Sequence, residues 1–144
     1  MKPVTDYDDQ NIFAKILRGE IPCYKVFENR HTLAFLDIMP RSPGHTLVIP
    51  KAPARGILDI GADDLAEVAR TAKTIALAAV KAFDAEGIVI QQFSEAASGQ
   101  VVFHLHMHVM PMKAGVKLLR AQTRKEDGKV LEAHAGRMIA ALQG

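Results

Sequence analysis

The chain has 144 residues, 49% of them hydrophobic, and its 18 basic and 16 acidic residues leave a formal net charge of +2. A chain of this size fits one domain with a real apolar core. The basic residues are scattered and there is no Trp, a composition that does not favour nucleic-acid binding. The single cysteine excludes an intrachain disulfide, and no apolar run approaches the roughly 20 residues that span a bilayer. We therefore expect a soluble cytoplasmic protein that binds neither nucleic acid nor membranes.

The first predicted elements are a short helix and a β-hairpin. Apolar residues recur at helical spacing over residues 12–17, and Asp8 and Asp9 precede them as candidate caps. Two strand-like runs follow, residues 24–28 and 32–37, separated by a short polar turn. This pattern is typical of two antiparallel strands joined by a tight connection.

The rest of the sequence alternates strand and helix signals. The predicted elements in chain order are a strand at 45–49, a helix at 63–83, a strand at 88–93, a strand at 101–110 and a weaker helical stripe through 131–142. No internal repeat or linker interrupts them. The pattern predicts one α+β domain over residues 1–144, with an antiparallel sheet of about five strands, two main helices and a C-terminal helical tail.

The most informative segment is His104-Leu105-His106-Met107-His108. On a strand, alternate side chains share a face, so the three imidazoles are expected on one side and the apolar residues on the other. Three histidines fill a core poorly because each neutral ring has a donor and an acceptor to satisfy. Two chemical uses remain open: one imidazole acts as a nucleophile, or His104 and His106 bind a metal with His45 or His108.

The residues also resemble a known family. Residues 99–111, from Gly99 to Pro111, look like the signature of the histidine-triad (HIT) hydrolases and transferases. Residues 11–22 resemble the N-terminal helix of the nucleoside phosphoramidase (Hint-like) branch, and residues 35–38 and 43–51 resemble its intervening strands in the same order. The resemblance covers residues 8–111, leaves 112–144 as a tail, and implies a HIT-like fold.

The resemblance implies a reaction at phosphorus without a cofactor or metal. His106 would attack the α-phosphorus of a nucleotide conjugate, and water would hydrolyse the resulting nucleotidyl-histidine. His108 would hydrogen-bond the phosphate and assist the leaving group, while His104 and His45 would orient and polarise the nucleophilic ring. Gln100 and backbone donors would stabilise the developing charge.

The same resemblance implies a binding site for a purine nucleotide or nucleotide conjugate, and a homodimer whose sheets join side by side. Asp37 would hold the ribose hydroxyls, and Gly99 and Gln100 would lie at the phosphate. The apolar walls around the base would be Ile12, Phe13, Ile16, Phe35 and Ile38. The alternative roles are core packing for the apolar residues, a turn for Asp37 and Gly99, and a loop anchor for Gln100.

Several positions depart from the phosphoramidase pattern. Phe93-Ser94-Glu95 stands where that branch usually has Asn-x-Gly, Val101 stands at a frequent Ser position, and Met112 replaces a common Arg. There is no C-terminal Trp. The predicted function is therefore hydrolysis of phosphoramidate-like nucleotides, with dinucleoside polyphosphate hydrolysis and nucleotide binding with little turnover as the alternatives.

Overall fold

The computed structural model describes residues 6–144 as three α-helices and a five-stranded antiparallel sheet of order β1-β2-β3-β5-β4. The elements in chain order are α1 (Ile12–Leu17), β1 (Lys25–Glu28), β2 (Thr32–Leu36), β3 (Thr46–Pro50), α2 (Ala62–Phe83), β4 (Gly87–Gln92), a 3₁₀ turn (Ala96–Ser98), β5 (Met107–Met112) and α3 (Gly128–Gln143). The α+β class, the five antiparallel strands and the helical tail predicted from the sequence are confirmed. None of the helices in this part of the chain is long and apolar enough to cross a bilayer.

The central strands are buried on both faces of the sheet. Every residue of β2 and β3 is buried. Ala34, Leu36 and Val48 belong to the larger core, to which α2 and α3 contribute. Their neighbours Leu33, Phe35, Leu47 and Ile49 belong to a smaller core with Phe13 of α1. Because successive side chains of a strand alternate between faces, α1 lies on the face opposite the two longer helices.

The long helix α2 fixes the turn that leads into β3. Gly44 has a φ of 88°, and a Cβ atom at this position would lie 2.6 Å from the Phe83 ring near the end of α2. Only glycine combines that dihedral with so close an approach. Gly44 therefore sets where the next residue, His45, enters the sheet.

Two local predictions are wrong. The side chain of Asn11, and not of Asp8 or Asp9, caps α1 by accepting a hydrogen bond from the Ala14 amide; Asp8 instead accepts from Gln10 before the helix begins.

The last strand also begins later than predicted, at Met107, and continues through Pro111 to Met112. Upstream of Met107, the Leu105 amide donates to the Ala54 carbonyl at 2.8 Å. This part of the chain therefore does not take part in the hydrogen bonding of the sheet. Pro111 lies beyond the end of the β3–β5 pairing, which reaches only Val109, so its missing N–H removes no hydrogen bond to β3.

Candidate active site

A cavity of about 830 Å³ lies between α1 and the α1-facing side of the sheet. Seven of the eight predicted binding residues line it: Ile12, Phe13, Ile16, Phe35, Asp37, Ile38 and Gly99. Of the four predicted catalytic histidines, His45, His106 and His108 line it. The structure thus brings ten of the twelve predicted site residues together at one cavity.

The ring of His106 is held in one orientation and one tautomer. Its Nδ1 lies 2.8 Å from the backbone carbonyl oxygen of His104, and a carbonyl only accepts hydrogen bonds, so Nδ1 carries the proton. The ring also packs edge-on against Phe13, with centroids 4.9 Å apart. Burial lowers the pKa of His106, although the bond to the His104 carbonyl opposes this. His106 is therefore neutral, and Nε2 keeps its lone pair.

His45 and His108 form a second imidazole pair beside it. The Arg41 amide donates to His45 Nδ1 at 3.0 Å, so the proton of neutral His45 is on Nε2. That Nε2 lies 2.9 Å from His108 Nδ1, which must accept, so neutral His108 carries its proton on Nε2. Burial, followed by the neighbouring histidines and the Arg41 cation, lowers the pKa of both rings to about 3. Both are neutral at pH 7, and His108 retains an N–H donor.

Asp37 follows β2 and lies at the edge of the same cluster. One carboxylate oxygen accepts from the Met39 amide at 2.8 Å, and the other lies 3.6 Å from His45 Nε2. The second contact is not an ion pair, because His45 is neutral. Burial raises the pKa of Asp37, while the Met39 amide opposes the rise. The first oxygen thus has a protein donor, and the second has no donor within normal hydrogen-bond distance among the described residues.

His104 lies behind the cavity and not in its wall, which differs from the prediction of one face shared by three imidazoles. The ring is fully buried. Its Nε2 donates to the Pro50 carbonyl at 2.8 Å, so its Nδ1 accepts from the Tyr7 hydroxyl at 2.6 Å. Burial lowers the pKa of His104 to about 4. The sequence suggested that the rings of His104 and His45 orient His106. In the structure the backbone carbonyl of His104 does so instead, because His104 lies before the start of β5 and its ring points away from the cavity wall.

The side chain of Gln100 is used inside the loop. Its amide oxygen accepts from the Glu95 amide, and its amide nitrogen donates to the carbonyls of Arg55 and Val102 at 2.7 and 3.0 Å. Arg55 and Glu95 also form a salt bridge at 2.7 Å. Gln100 is buried and is not among the residues that line the cavity. In this structure it anchors the loop that contains Glu95, the alternative role left open by the sequence.

Three features of the site had no signal in the sequence. The C-terminal segment between β5 and α3 folds back so that Ala121 and Gln122 line the cavity. Arg41 lines it too, and its backbone carbonyl accepts from the Leu119 amide at 2.8 Å. Tyr7 reaches the His104 ring across 97 residues of sequence. Each contact joins distant parts of the chain, which no local periodicity reveals.

The structure also changes the candidate metal ligands. Asp37, His45 and His108 each offer a ligand atom, and these atoms lie within 4.8 Å of one another. The set expected from strand spacing began with His104 and His106, but both nitrogens of His104 are occupied by Tyr7 and Pro50. A metal at this position would have to displace the His45–His108 hydrogen bond.

A five-stranded antiparallel sheet that places His106 and His108 of the histidine motif in one cavity is the arrangement expected of a histidine-triad protein. Residues 18–115 match the HIT domain model, and the chain belongs to the HIT family, a family of nucleotide-binding proteins and hydrolases.

Individual relatives agree with this assignment. The structure is similar to that of a HIT-like protein from Bartonella henselae, with 46% identity, a TM-score of 0.90 and coverage of 94% of this chain and 98% of that one. It is also similar to a hypothetical histidine triad nucleotide-binding protein from Sulfolobus tokodaii, with 31% identity, a TM-score of 0.83 and coverage of 91% of each chain. Among curated relatives, adenylylsulfatase HINT3 of Arabidopsis thaliana is 31% identical over 132 residues, which are 92% of this chain and 67% of that one.

Proposed function

We propose that this protein hydrolyses nucleoside phosphoramidate-like conjugates at the α-phosphorus through a nucleotidyl intermediate on His106. The observation that carries the proposal is the tautomer of His106. Its Nδ1 proton is committed to the His104 carbonyl, so the lone pair of Nε2 is available inside the cavity. A neutral imidazole with a fixed lone pair is a competent nucleophile at pH 7.

The neighbouring imidazoles can stabilise the negative charge expected on the attacked phosphoryl group. His108 has its Nδ1 occupied by His45 and presents an Nε2–H donor. Such a donor stabilises an oxygen of the attacked phosphoryl group without adding a charge of its own. His45 fixes the tautomer of His108 and not that of His106. We therefore assign His45 a positioning role that acts through His108, whereas the sequence suggested a direct action on the nucleophilic ring of His106.

The part of the cavity that is lined by apolar side chains suits a nucleoside. Phe13 and Phe35 pack edge-on with centroids 5.4 Å apart, and Ile12 and Ile38 are 44% and 40% exposed at the cavity. Exposed apolar side chains in a concave site favour a flat aromatic ligand such as a base. The carboxylate oxygen of Asp37 without a close donor is then available to accept from ribose hydroxyls.

A homodimer is part of the proposal. The strand β4 is an edge of the sheet, and edge strands expose unpaired backbone groups that another chain can complete. Ile88 on this strand packs against the core that includes α2, so Ile90, two residues on and 47% exposed, lies on the same face. Leu77 and Val80 of α2 are 65% and 40% exposed. These three exposed side chains favour pairing of two sheets along β4.

We further propose that the chain forms one HIT domain that includes the tail. Leu131 and Met138 of α3 are buried in the core shared with α2, so the tail packs on the HIT-like core. The cytoplasmic location expected from the sequence stays a prediction.

A second candidate function is hydrolysis of nucleotide anhydrides, which include dinucleoside polyphosphates and adenylyl sulfate. The observation that favours it is Arg41, a cationic residue that lines the cavity, since an anionic leaving group benefits from a nearby cation. The name of the HINT3 relative describes action on adenylyl sulfate. A nucleotide-binding regulator with little turnover would use the same cavity without forming an intermediate.

The experiment that tests the proposal compares hydrolysis of adenosine 5′-phosphoramidate by wild type, His106→Ala and His31→Ala. His31 lies in the hairpin turn between β1 and β2, outside the cavity, and serves as the matched control. We expect His106→Ala to lose turnover completely, while His31→Ala keeps it and both variants stay folded by circular dichroism. Turnover retained in His106→Ala would exclude the nucleophile.

A further inference from the structure

The described wall of the cavity includes one permanently charged cation. Among the described residues that line it, Arg41 is the only arginine, and none is a lysine. Its Nε donates to the Leu119 carbonyl at 2.8 Å and its Nη1 to the Gln91 amide oxygen at 2.9 Å. Both acceptors are neutral, and within residues 6–144 no carboxylate lies within 4.0 Å of the Arg41 guanidinium nitrogens. The guanidinium is thus held in place but its charge is not neutralised.

This cation lies at the His108 end of the cavity. Gln91, which holds the guanidinium, is the direct cross-strand partner of His108 in the β4–β5 pair. The backbone amide of Arg41 holds His45, which in turn holds His108. The base-binding wall at Phe13 contacts His106 instead. A conjugate whose base lies at the Phe13 wall would therefore extend its leaving group towards the uncompensated charge.

We propose that Arg41 determines specificity for nucleotide conjugates whose leaving group is an oxyanion, either a sulfate or a phosphate. The inference rests on one part of the proposed function, attack of His106 on the α-phosphorus, and it favours the second candidate substrate class: nucleotide anhydrides are cleaved in preference to phosphoramidates. A guanidinium forms charge-assisted, planar hydrogen bonds with such oxyanions. A neutral amine offers it no negative partner.

The chemistry of the step gives the same preference. His106 Nε2 forms a bond to the α-phosphorus, and the bond from phosphorus to the bridging oxygen breaks. The electron pair leaves with that oxygen as part of the sulfate or phosphate anion, which needs no proton and is stabilised by Arg41. Water then attacks the phosphorus, the bond to Nε2 breaks, the surplus proton passes to solvent, and the nucleoside monophosphate is released.

An amine leaving group has a different requirement. It departs readily only if its nitrogen takes up a proton as the phosphorus–nitrogen bond breaks. His108 is the imidazole expected to assist the leaving group, but its Nδ1 already accepts from His45, and burial lowers its pKa to about 3. A neutral imidazole is a weak acid, so the site is better prepared to stabilise an anion than to protonate an amine.

The test compares Arg41→Gln with wild type on three substrates: adenosine 5′-phosphosulfate, diadenosine tetraphosphate and adenosine 5′-phosphoramidate. Losing a hydrogen bond to a charged group predicts a fall in kcat/KM of about 10- to 100-fold on the two anhydrides, against less than about threefold on the phosphoramidate. A larger loss on the phosphosulfate identifies sulfate as the preferred leaving group, and a larger loss on the dinucleotide identifies phosphate. Equal losses on all three substrates would overturn the proposal.

Two further variants separate charge from structure. Arg41→Lys keeps the charge and should keep most of the anhydride preference; if it behaves like Arg41→Gln, the anchor to Leu119 and not the charge is responsible, and the proposal is wrong. Arg70→Gln removes an arginine that lies on α2, outside the cavity, and pairs with Glu67 at 2.9 Å. It should leave all three rates unchanged.

A binding measurement keeps the inference testable if the proposed hydrolysis fails. In the His106→Ala background no covalent step occurs, and calorimetry reports only affinity for adenosine 5′-phosphosulfate and adenosine 5′-phosphoramidate. Adding Arg41→Gln should remove a preference of about tenfold or more for the phosphosulfate. A wild type without turnover but with this Arg41-dependent preference would refute the hydrolase alone. The same affinity ratio with and without Arg41 would refute the specificity role.

Discussion

Acidification from pH 7 to pH 5 should destabilise this protein through its buried histidines. His45, His104 and His108 have folded-state pKa values of about 3, 4 and 3, each lowered first by burial. In the unfolded chain the same groups titrate near 6.5. Below pH 6.5 the unfolded chain therefore binds protons that the native state does not, and the free energy of unfolding falls until the pH reaches the folded-state values.

The expected magnitude follows from these pKa values. Between pH 7 and pH 5 each histidine removes about 2 kcal/mol, so three remove about 6 kcal/mol, a large share of a typical domain stability of roughly 5–15 kcal/mol. Asp37 acts in the opposite direction, because burial raises its folded-state pKa and the native state gains its proton first. Burial also lowers the pKa of His106, which adds to the loss, so the sum over three histidines omits contributions of both signs.

Urea unfolding at half-unit pH steps measures this effect. His104→Gln should reduce the slope of unfolding free energy against pH below 6 by about one proton, or roughly 1.4 kcal/mol per pH unit. The control His31→Asn changes a histidine outside the cavity and should keep the wild-type slope. Equal stability at pH 7 and pH 5 would refute the conclusion that these imidazoles are buried in their neutral form.

Three other substitutions have distinct expected results. Tyr7→Phe leaves the Nδ1 acceptor of His104 without the hydroxyl now 2.6 Å away, so urea unfolding should show a loss of about 1–3 kcal/mol; unchanged stability would contradict this contact. Asp37→Asn should weaken binding of AMP by about tenfold while leaving binding of its 2′,3′-dideoxy analogue unchanged, and equal weakening would exclude a ribose contact. Ile90→Glu places a charge on the proposed sheet-pairing edge and should yield monomers in sedimentation velocity, whereas an unchanged sedimentation coefficient would exclude that interface.

Local patterns in the sequence predicted the elements well. The 22-residue helix α2 has apolar residues at a clear helical period, and the hairpin strands flank a polar turn. The family resemblance named ten residues that line one cavity in the structure, because motif residues that are distant in sequence occur together in that family; their roles stay predictions. Those predictions succeeded where short-range period or a shared motif carried the information.

The failures come from contacts that only the folded chain creates. His104 belongs to the same alternating pattern as His106, but the pairing of Leu105 with Ala54 takes this segment out of the sheet and buries His104 behind the cavity. Arg41 gains its position from Gln91 and Leu119, which lie 50 and 78 residues away. Hydrogen bonds across such separations leave no periodic trace, so neither the tautomers nor the cavity cation was predictable from the sequence.

The most direct test of the central mechanism is intact mass spectrometry after acid-free quenching of the protein with adenosine 5′-phosphosulfate or adenosine 5′-phosphoramidate. Wild type should show a mass increase equal to one adenylyl group, and His106→Ala should show none, because only the Nε2 lone pair of His106 is positioned to attack. An adenylyl adduct of equal yield on His106→Ala, or turnover by His106→Ala at the wild-type rate, would contradict covalent catalysis by His106.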